Sequence, residues 1–324
     1  MVTANWAGNV VFSSREVHHP ASVAQLQELV ATSDRVRALG TGHSFSRIAD
    51  TDGELRTVGR GDKEFPGSVV ALGALGIVTA LTLDLRPTFG IRQWVYEGLA
   101  LQDAEEALAA GYSVSLFTHW AGAGFEQVWL KQRETDPEPP VRWLGTTRAA
   151  AQVHMVPGVD PQHCTPQLGE PGPWHERLPH FRLAFTPSSG DELQSEYFVP
   201  RPALADALRA VDAVRERVAP ALQVSEIRTV AADDLWLSPA EGRDTAALHF
   251  TWVPDTAAVL PAVAALESAL EPFGTRPHWG KVFGTAPAAV ASLWPRLTDF
   301  ATLTLQHDPT GKFRNAMLET YLPR

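Results

Sequence analysis

The chain has 324 residues, 44% hydrophobic and 20% charged, with a formal net charge of −10. That length suits about two globular domains, and the acidic balance excludes a nucleic-acid partner, because phosphate binding needs clustered Lys and Arg. A single cysteine, Cys164, excludes an internal disulfide and predicts a reducing, cytoplasmic setting; no apolar run approaches the roughly 18 residues of a membrane span, and residues 1–11 lack the pattern of a signal peptide.

Residues 5–12, Asn5-Trp6-Ala7-Gly8-Asn9-Val10-Val11-Phe12, read as an opening strand with a turn. A helix follows, with Ser22 as N-cap, Gln25 three residues on, and an apolar stripe of Val23, Leu26, Leu29 and Val30. Val36-Arg37-Ala38-Leu39 is a short buried strand that runs into Gly40-Thr41-Gly42-His43-Ser44-Phe45. Two glycines allow a tight turn with exposed backbone, and a histidine at its tip is placed to react rather than to pack. Asp52-Gly53 is a hairpin signal. After Gly73-Ala74-Leu75-Gly76, the residues Ile77, Thr79, Leu81, Leu83 and Leu85 alternate with Val78, Ala80, Thr82, Asp84 and Arg86. This predicts a strand that Pro87 stops. A domain boundary is expected near residues 88–92.

Beyond it, residues 102–110 predict a short helix, and Ser113–Trp120 and Glu126–Lys131 predict strands joined by Ala121-Gly122-Ala123-Gly124. Residues 134–180 are rich in Pro, Gly and His. An irregular excursion of that length is ordinarily functional or mobile, in the manner of a lid. Leu193–Val199 reads as a strand, and Pro202–Val218 as a helix with Leu204, Leu208, Val211 and Val218 on one face. Val259, Val263, Leu266 and Leu270 mark another helix, expected to start near Pro261.

Three strand-like runs place chemistry together. Alternation in Val224–Val230 puts Glu226 and Arg228 on one face and Ile227 on the other. In Leu248–Trp252 it puts His249 and Thr251 opposite Leu248, Phe250 and Trp252. In His278–Phe283, Lys281 shares a face with Trp279 and Phe283. Singly, such residues are ordinary solvated strand polarity. On neighbouring strands they would give one face with donors and acceptors for a polyhydroxylated ligand. They do not suit a metal, because no His/Cys/Asp cluster has ligand spacing. Gly40-Thr41-Gly42 lacks the third glycine of a dinucleotide fingerprint, and Gly311-Lys312 lacks the upstream glycine of a P-loop.

Six stretches carry a likeness. Asn5–Asn9, the strand into Gly40–Phe45, Leu72–Val78, Glu226–Thr229, His278–Lys281 and Asp308–Asn315 resemble, in that order, the vanillyl-alcohol-oxidase-type FAD-linked oxidases. The resemblance implies an α+β fold: a shortened FAD-binding α/β domain (residues 1–90), then a substrate-binding domain (residues 91–324) with a mostly antiparallel sheet flanked by helices. Residues 306–324 would return toward the flavin. It implies a covalent bond from His43 to FAD, with Gly40, Thr41, Gly42, Ser44, Phe45, Gly76 and Asn315 around the cofactor. Glu226, Arg228, His249, Thr251 and Lys281 would line a polyol site. The implied reaction oxidises a terminal CH–OH of an alditol such as xylitol or sorbitol, with O₂ reduced to hydrogen peroxide. In it Lys281 and Arg228 would stabilise the alkoxide, with Lys281 as candidate base. Glu226 would anchor Arg228, and His249 and Thr251 would read further hydroxyls.

The sequence departs from that pattern at one place. Ile48-Ala49-Asp50-Thr51 runs into Asp52-Gly53-Glu54-Leu55, which resembles a much later stretch of the family. A piece the size of a small subdomain is missing near residues 50–53. With it go the Gly-rich segment around the pyrophosphate and a serine of the substrate site. Natural loss, engineered shortening and a gap in the sequence as written all give this pattern. Removing central strands is expected to leave unpaired edges. Two other readings stand beside the polyol oxidase: a flavin-free remnant that only binds a polyol or a partner, and an aldonolactone oxidase. Against the latter, the His249/Thr251 pair and the Trp279-Gly280-Lys281 run look like the polyol branch.

Overall fold

The computed structural model describes residues 4–5, 7–12, 17–38, 58–79, 81–122, 124–185 and 192–322. The turn Gly40–Phe45 and the Asp52-Gly53 signal lie outside these. In chain order the elements are α1 (Val23–Thr32), α2 (Phe65–Val69), β1 (Gly90–Ala100), α3 (Ala104–Leu108), β2 (Ser113–Thr118), β3 (Gly124–Arg133), β4 (Arg142–Trp143), β5 (Thr146–Arg148) and β6 (Gly172–Pro173). They continue with β7 (Leu193–Pro200), α4 (Leu204–Ala213), α5 (Arg215–Val218), β8 (Leu222–Val230), β9 (Thr245–Trp252), α6 (Thr256–Leu270), β10 (Arg276–Pro277), α7 (Pro287–Leu293), α8 (Leu297–His307) and α9 (Ala316–Tyr321). The chain forms two compact units: residues 1–83 with 231–243 and 276–324, and residues 84–230 with 244–275.

The second unit is built on a sheet with strands in the order β7-β9-β8-β2-β3-β1-β5-β4, and β6 also on β1. The register pairs are antiparallel. Side-chain alternation then decides everything else. Tyr197, Leu248, Ile227, Leu116, Val128 and Tyr96 sit opposite one another across six strands. All six are buried. Helices cover this face: the Tyr197 hydroxyl meets Glu267 Oε1 of α6 at 3.0 Å, and Val259, Val263, Leu266 and Leu270 of α6 are buried, as are Leu204, Leu208 and Val211 of α4. Residues 256–273 are long and apolar enough to cross a membrane, but these contacts account for the apolarity as core packing. Asp255 caps α6 through Ala257 N and Ala258 N, so Pro261 falls inside the helix and not at its start.

On the opposite sheet face, residues 149–185 are laid down as a cover. Val95, Phe117, Trp129 and Val224 of the sheet form a cluster with Met155 and Cys164, and Phe181 packs against it. The excursion is irregular, as its composition predicts, yet it is anchored rather than free: Thr165 Oγ1 donates to Pro179 O, and Gln93 Nε2 of β1 reaches Thr165.

In the first unit, Ser22 caps α1 by accepting from Gln25 N, and Gln25 Oε1 accepts from Ala21 N. Val30 is buried while Val23 is exposed, so the stripe narrows to Leu26, Leu29 and Val30. A core of Trp279, Val290, Trp294, Leu297, Phe300 and Leu318 gathers α7, α8 and α9. Four expected strands are not formed among the described residues. Residues 7–9 form a turn, and Ala4 makes a bridge to Val11. Residues 36–38 have no strand pairing, and residues 278–281 form a turn in which Lys281 N donates to His278 O. Residues 77–79 and 81–85 form no strand pairing among the described residues, and Val78, Leu81, Leu83 and Leu85 are 72–93% exposed. Alternation specifies a strand only when another strand supplies its hydrogen bonds.

Candidate functional site

One register row carries the polar cluster. Glu196 on β7 lies opposite His249 on β9, His249 opposite Glu226 on β8, Glu226 opposite Phe117 on β2, and Phe117 opposite Gln127 on β3. This row is one residue out of step with the buried apolar row, so its side chains all leave the sheet by the other face.

Glu226 is the hub. Its Oε1 lies 2.9 Å from His180 Nε2, its Oε2 accepts from Arg228 Nη1 at 3.1 Å, and His249 Nδ1 is 3.9 Å from Oε2. Arg228 Nη2 donates to Glu196 Oε1. Lys131 on β3 donates to Leu178 O at 2.5 Å and stands 3.2 Å from His180 Nδ1. The Lys131, Glu196 and Glu226 side chains are essentially buried, whereas Arg228 keeps 39% of its side chain exposed. Arg228 is therefore the charged group of the cluster that presents most of itself to an incoming molecule.

The charges balance. Burial alone would raise the Glu226 carboxyl, but His180, Arg228 and His249 outweigh it and hold the group well below the usual carboxylate range. Burial lowers the Arg228 guanidinium, and the two carboxylates more than restore it, so it is charged. Burial and the Lys131 charge lower His180 despite Glu226, which leaves the imidazole neutral. Burial pulls Lys131 down to about 8, against the pull of Glu226. At neutral pH two cations face two carboxylates, bridged by a neutral ring.

The structure thus brings Glu226, Arg228 and His249 together, with Thr251 two residues along β9 on the same face. Lys281 belongs to the first unit, in the turn after His278, and not to a strand of this sheet. Gly76 and Asn315 are also in that unit. Gly76 has φ 131°, while the Asn315 side chain caps α9 by accepting from Leu318 N. His43, Gly40, Thr41, Gly42, Ser44 and Phe45 are outside the described residues. Sequence reasoning missed Glu196, Lys131 and His180. Alternation along Leu193–Val199 and Glu126–Lys131 carried a signal for the first two; nothing local marks His180, which arrives from 46 residues away. No group of three or more His, Cys, Asp or Glu residues could hold a metal ion among the described residues.

Comparison with known proteins gives the following. The D-arabinono-1,4-lactone oxidase family matches residues 191–321. An alditol oxidase from Streptomyces sp. (strain IKD472 / FERM P-14339) is 42% identical, covering 98% of this chain and 98% of that protein. An L-gulono-1,4-lactone dehydrogenase from Mycobacterium tuberculosis is 23% identical, covering 97% of each. Among solved structures, cholesterol oxidase from B. sterolicum has a TM-score of 0.61 at 13% identity, covering 98% of this chain and 74% of that one; it shares the fold. The alditol oxidase alignment spans 409 positions against the 324 residues here. The difference, 409 less 324, leaves at least 85 positions of the alignment without a residue of this chain.

Proposed function

The chain belongs to the alditol oxidase family, and from that premise we propose that it is an FAD-linked oxidase of the vanillyl-alcohol-oxidase type that oxidises the terminal CH–OH of an alditol such as xylitol or sorbitol. The observation that carries this is one polar sheet face: the register row supplies two carboxylates and an imidazole, and Arg228, two residues along β8 from Glu226, adds a partly exposed guanidinium, a set that matches a row of hydroxyls and that includes no metal-holding cluster among the described residues. FAD, when bound, would supply the two-electron acceptor for the C–H bond, with O₂ as the final oxidant. Arg228 donates to the oxygen on which negative charge develops. Glu226 accepts from a neighbouring hydroxyl while holding Arg228 in place, and His249 and Thr251 engage hydroxyls further along. Lys281 as base, and Gly40–Phe45, Gly76 and Asn315 as the flavin-holding residues with His43 covalently attached, rest on the resemblance. The φ of Gly76 fits this, because a residue without Cβ leaves the backbone bare for a flat ring to approach.

We assign FAD to residues 1–90 with 306–324, and the polyol to the intervening chain. The buried, unpaired Cys164 supports a reducing, cytoplasmic location. We place the alignment shortfall near residues 50–53. The exposed apolar run 77–85 favours a second reading, a flavin-free chain that only binds the polyol, since it is what loss of neighbouring strands would leave. Colour separates the two. The purified chain is expected to be yellow, to stay yellow after acid precipitation, and to release peroxide with xylitol or sorbitol but not with an aldonolactone. A colourless protein that binds xylitol without peroxide defeats the oxidase reading, and peroxide only with the lactone moves the chain to the other branch.

A further inference from the structure

Behind Glu226 lie a buried lysine and a partly buried histidine that the proposed chemistry does not use. Taking the polyol reading as its basis, we propose that Lys131 and His180 are positioning residues for the polyol site: Lys131 fixes the tautomer of His180, and His180 fixes Glu226 as the carboxylate that grips Arg228.

The geometry allows one direction of hydrogen bonding. An ammonium has donors and no acceptor. With Lys131 charged and 3.2 Å from Nδ1, that nitrogen must present its lone pair, so the ring proton sits on Nε2, 2.9 Å from Glu226 Oε1. The ring cannot turn away. It stands edge-on to Phe117 at 5.4 Å and to Trp129 at 5.3 Å between centroids. Its backbone is held too, because Thr165 N donates to His180 O. The charged and titratable groups facing the pair are Glu226 and Arg228 from β8, Glu196 from β7 and His249 from β9. The ladder neighbours of Lys131, Gln93 on β1 and Ser113 on β2, do not titrate. Arg133 is turned toward the rings of Phe89 and Tyr112.

Lys131 loses its proton near pH 8. A neutral amine can accept as well as donate, so above that pH Glu226 alone holds the proton on Nε2, and the Nδ1–H tautomer, which turns an Nε2 lone pair toward the carboxylate, gains population. Above pH 8 the grip on Arg228 weakens, and with it polyol affinity.

The test is long-range ¹H–¹⁵N NMR of the histidine-labelled full chain from pH 6 to 9.5, which reads the ring without needing turnover. His180 is expected to carry its proton on Nε2 at pH 7 and to change near pH 8. Lys131→Arg, which stays charged, is expected to abolish that change. A proton on Nδ1 at pH 7, or the same change in Lys131→Arg, overturns the inference. Because Lys131→Arg can fail to fold, His180→Gln against His180→Ala is the second measure. Gln can accept from Lys131 and donate to Glu226, so it is expected to keep xylitol affinity near wild type, while Ala loses about ten-fold, one charge-assisted hydrogen bond. Equal losses in the two overturn the inference. A chain that shows the tautomer change but oxidises no polyol defeats the proposed function and leaves the wiring standing. Polyol oxidation with His180 protonated on Nδ1 does the reverse.

Discussion

Arg228 Nη2 donates to Glu196 Oε1 across the width of β9, the strand that separates β7 from β8. The other arm of the same guanidinium holds Glu226. A planar fork can bridge two carboxylates on different strands; a single ammonium cannot hold the same two bonds. Arg228→Lys is therefore expected to lower kcat/KM for xylitol at least about 100-fold, more than one charge-assisted bond, with the fold intact by circular dichroism. Arg228→Ala and Lys281→Ala are expected to abolish turnover. Lys281→Ala, in the other unit, should leave the His180 ring signals unchanged. Near-wild-type rates in Arg228→Lys or Lys281→Ala would remove that residue from the site.

The second unit was largely legible in the sequence and the first was not, for a physical reason. The period-2 pattern of Val224–Val230 and Leu248–Trp252 is enforced by a core on one face, so Ile227, Leu248 and Phe250 point inward and Glu226 and His249 must point out. The same pattern in Ile77–Leu85 predicts a strand that is not formed among the described residues, because pairing depends on a partner that local pattern cannot report. His278–Phe283 failed differently: Trp279 is buried by helix packing, its Nε1 donating to Leu237 O, and alternation across a turn was coincidence. His180 was invisible because it reaches Glu226 from a loop, through long-range packing on Phe117 and Trp129.

Burial of Lys131 has a thermodynamic sign. Its folded pKa lies below its unfolded one, 10.5 falling to about 8, so between those values the unfolded chain binds more protons and stability rises with pH. The full span is worth up to about 3 kcal/mol. Burial pushes the Cys164 thiol the other way, up to about 11, so it lowers stability as pH rises from its unfolded value toward 11. That contribution is common to wild type and Lys131→Met and cancels in their difference. Urea unfolding at pH 7.5 and 10 is expected to show wild type gaining stability relative to Lys131→Met at the higher pH. A constant difference between the two proteins would mean that Lys131 keeps its ordinary pKa.

In the first unit, Trp294 is 1% exposed, packs tilted against Trp279 with ring centroids 4.5 Å apart, and donates from Nε1 to Ser238 O at 3.2 Å. Trp294→Ala is expected to cost about 3–5 kcal/mol from lost burial and a cavity. Trp294→Phe keeps most of the ring packing but leaves the Ser238 carbonyl without that donor, for about 1–2 kcal/mol. Urea titration of both variants checks the ranking, and a Trp294→Phe as damaging as Trp294→Ala would put the stability in the hydrogen bond instead of the ring.

The run at residues 77–85 makes the last prediction. Leu81, Leu83 and Leu85 are 77%, 76% and 93% exposed and lie one turn of alternation apart. An exposed apolar segment with no strand paired to it among the described residues is a template for pairing with another chain. Wild type is expected to associate with rising concentration, seen as growing scattering by light-scattering chromatography. Leu81→Lys with Leu83→Lys sets two charges on the same edge, and like charges brought opposite one another oppose pairing. The double variant is expected to stay at its low-concentration mass across the same range. It should keep the His180 ring signals of wild type, because neither leucine belongs to the unit that contains β8 and β9. Equal association in the two proteins would show that the exposed run is not the adhesive edge.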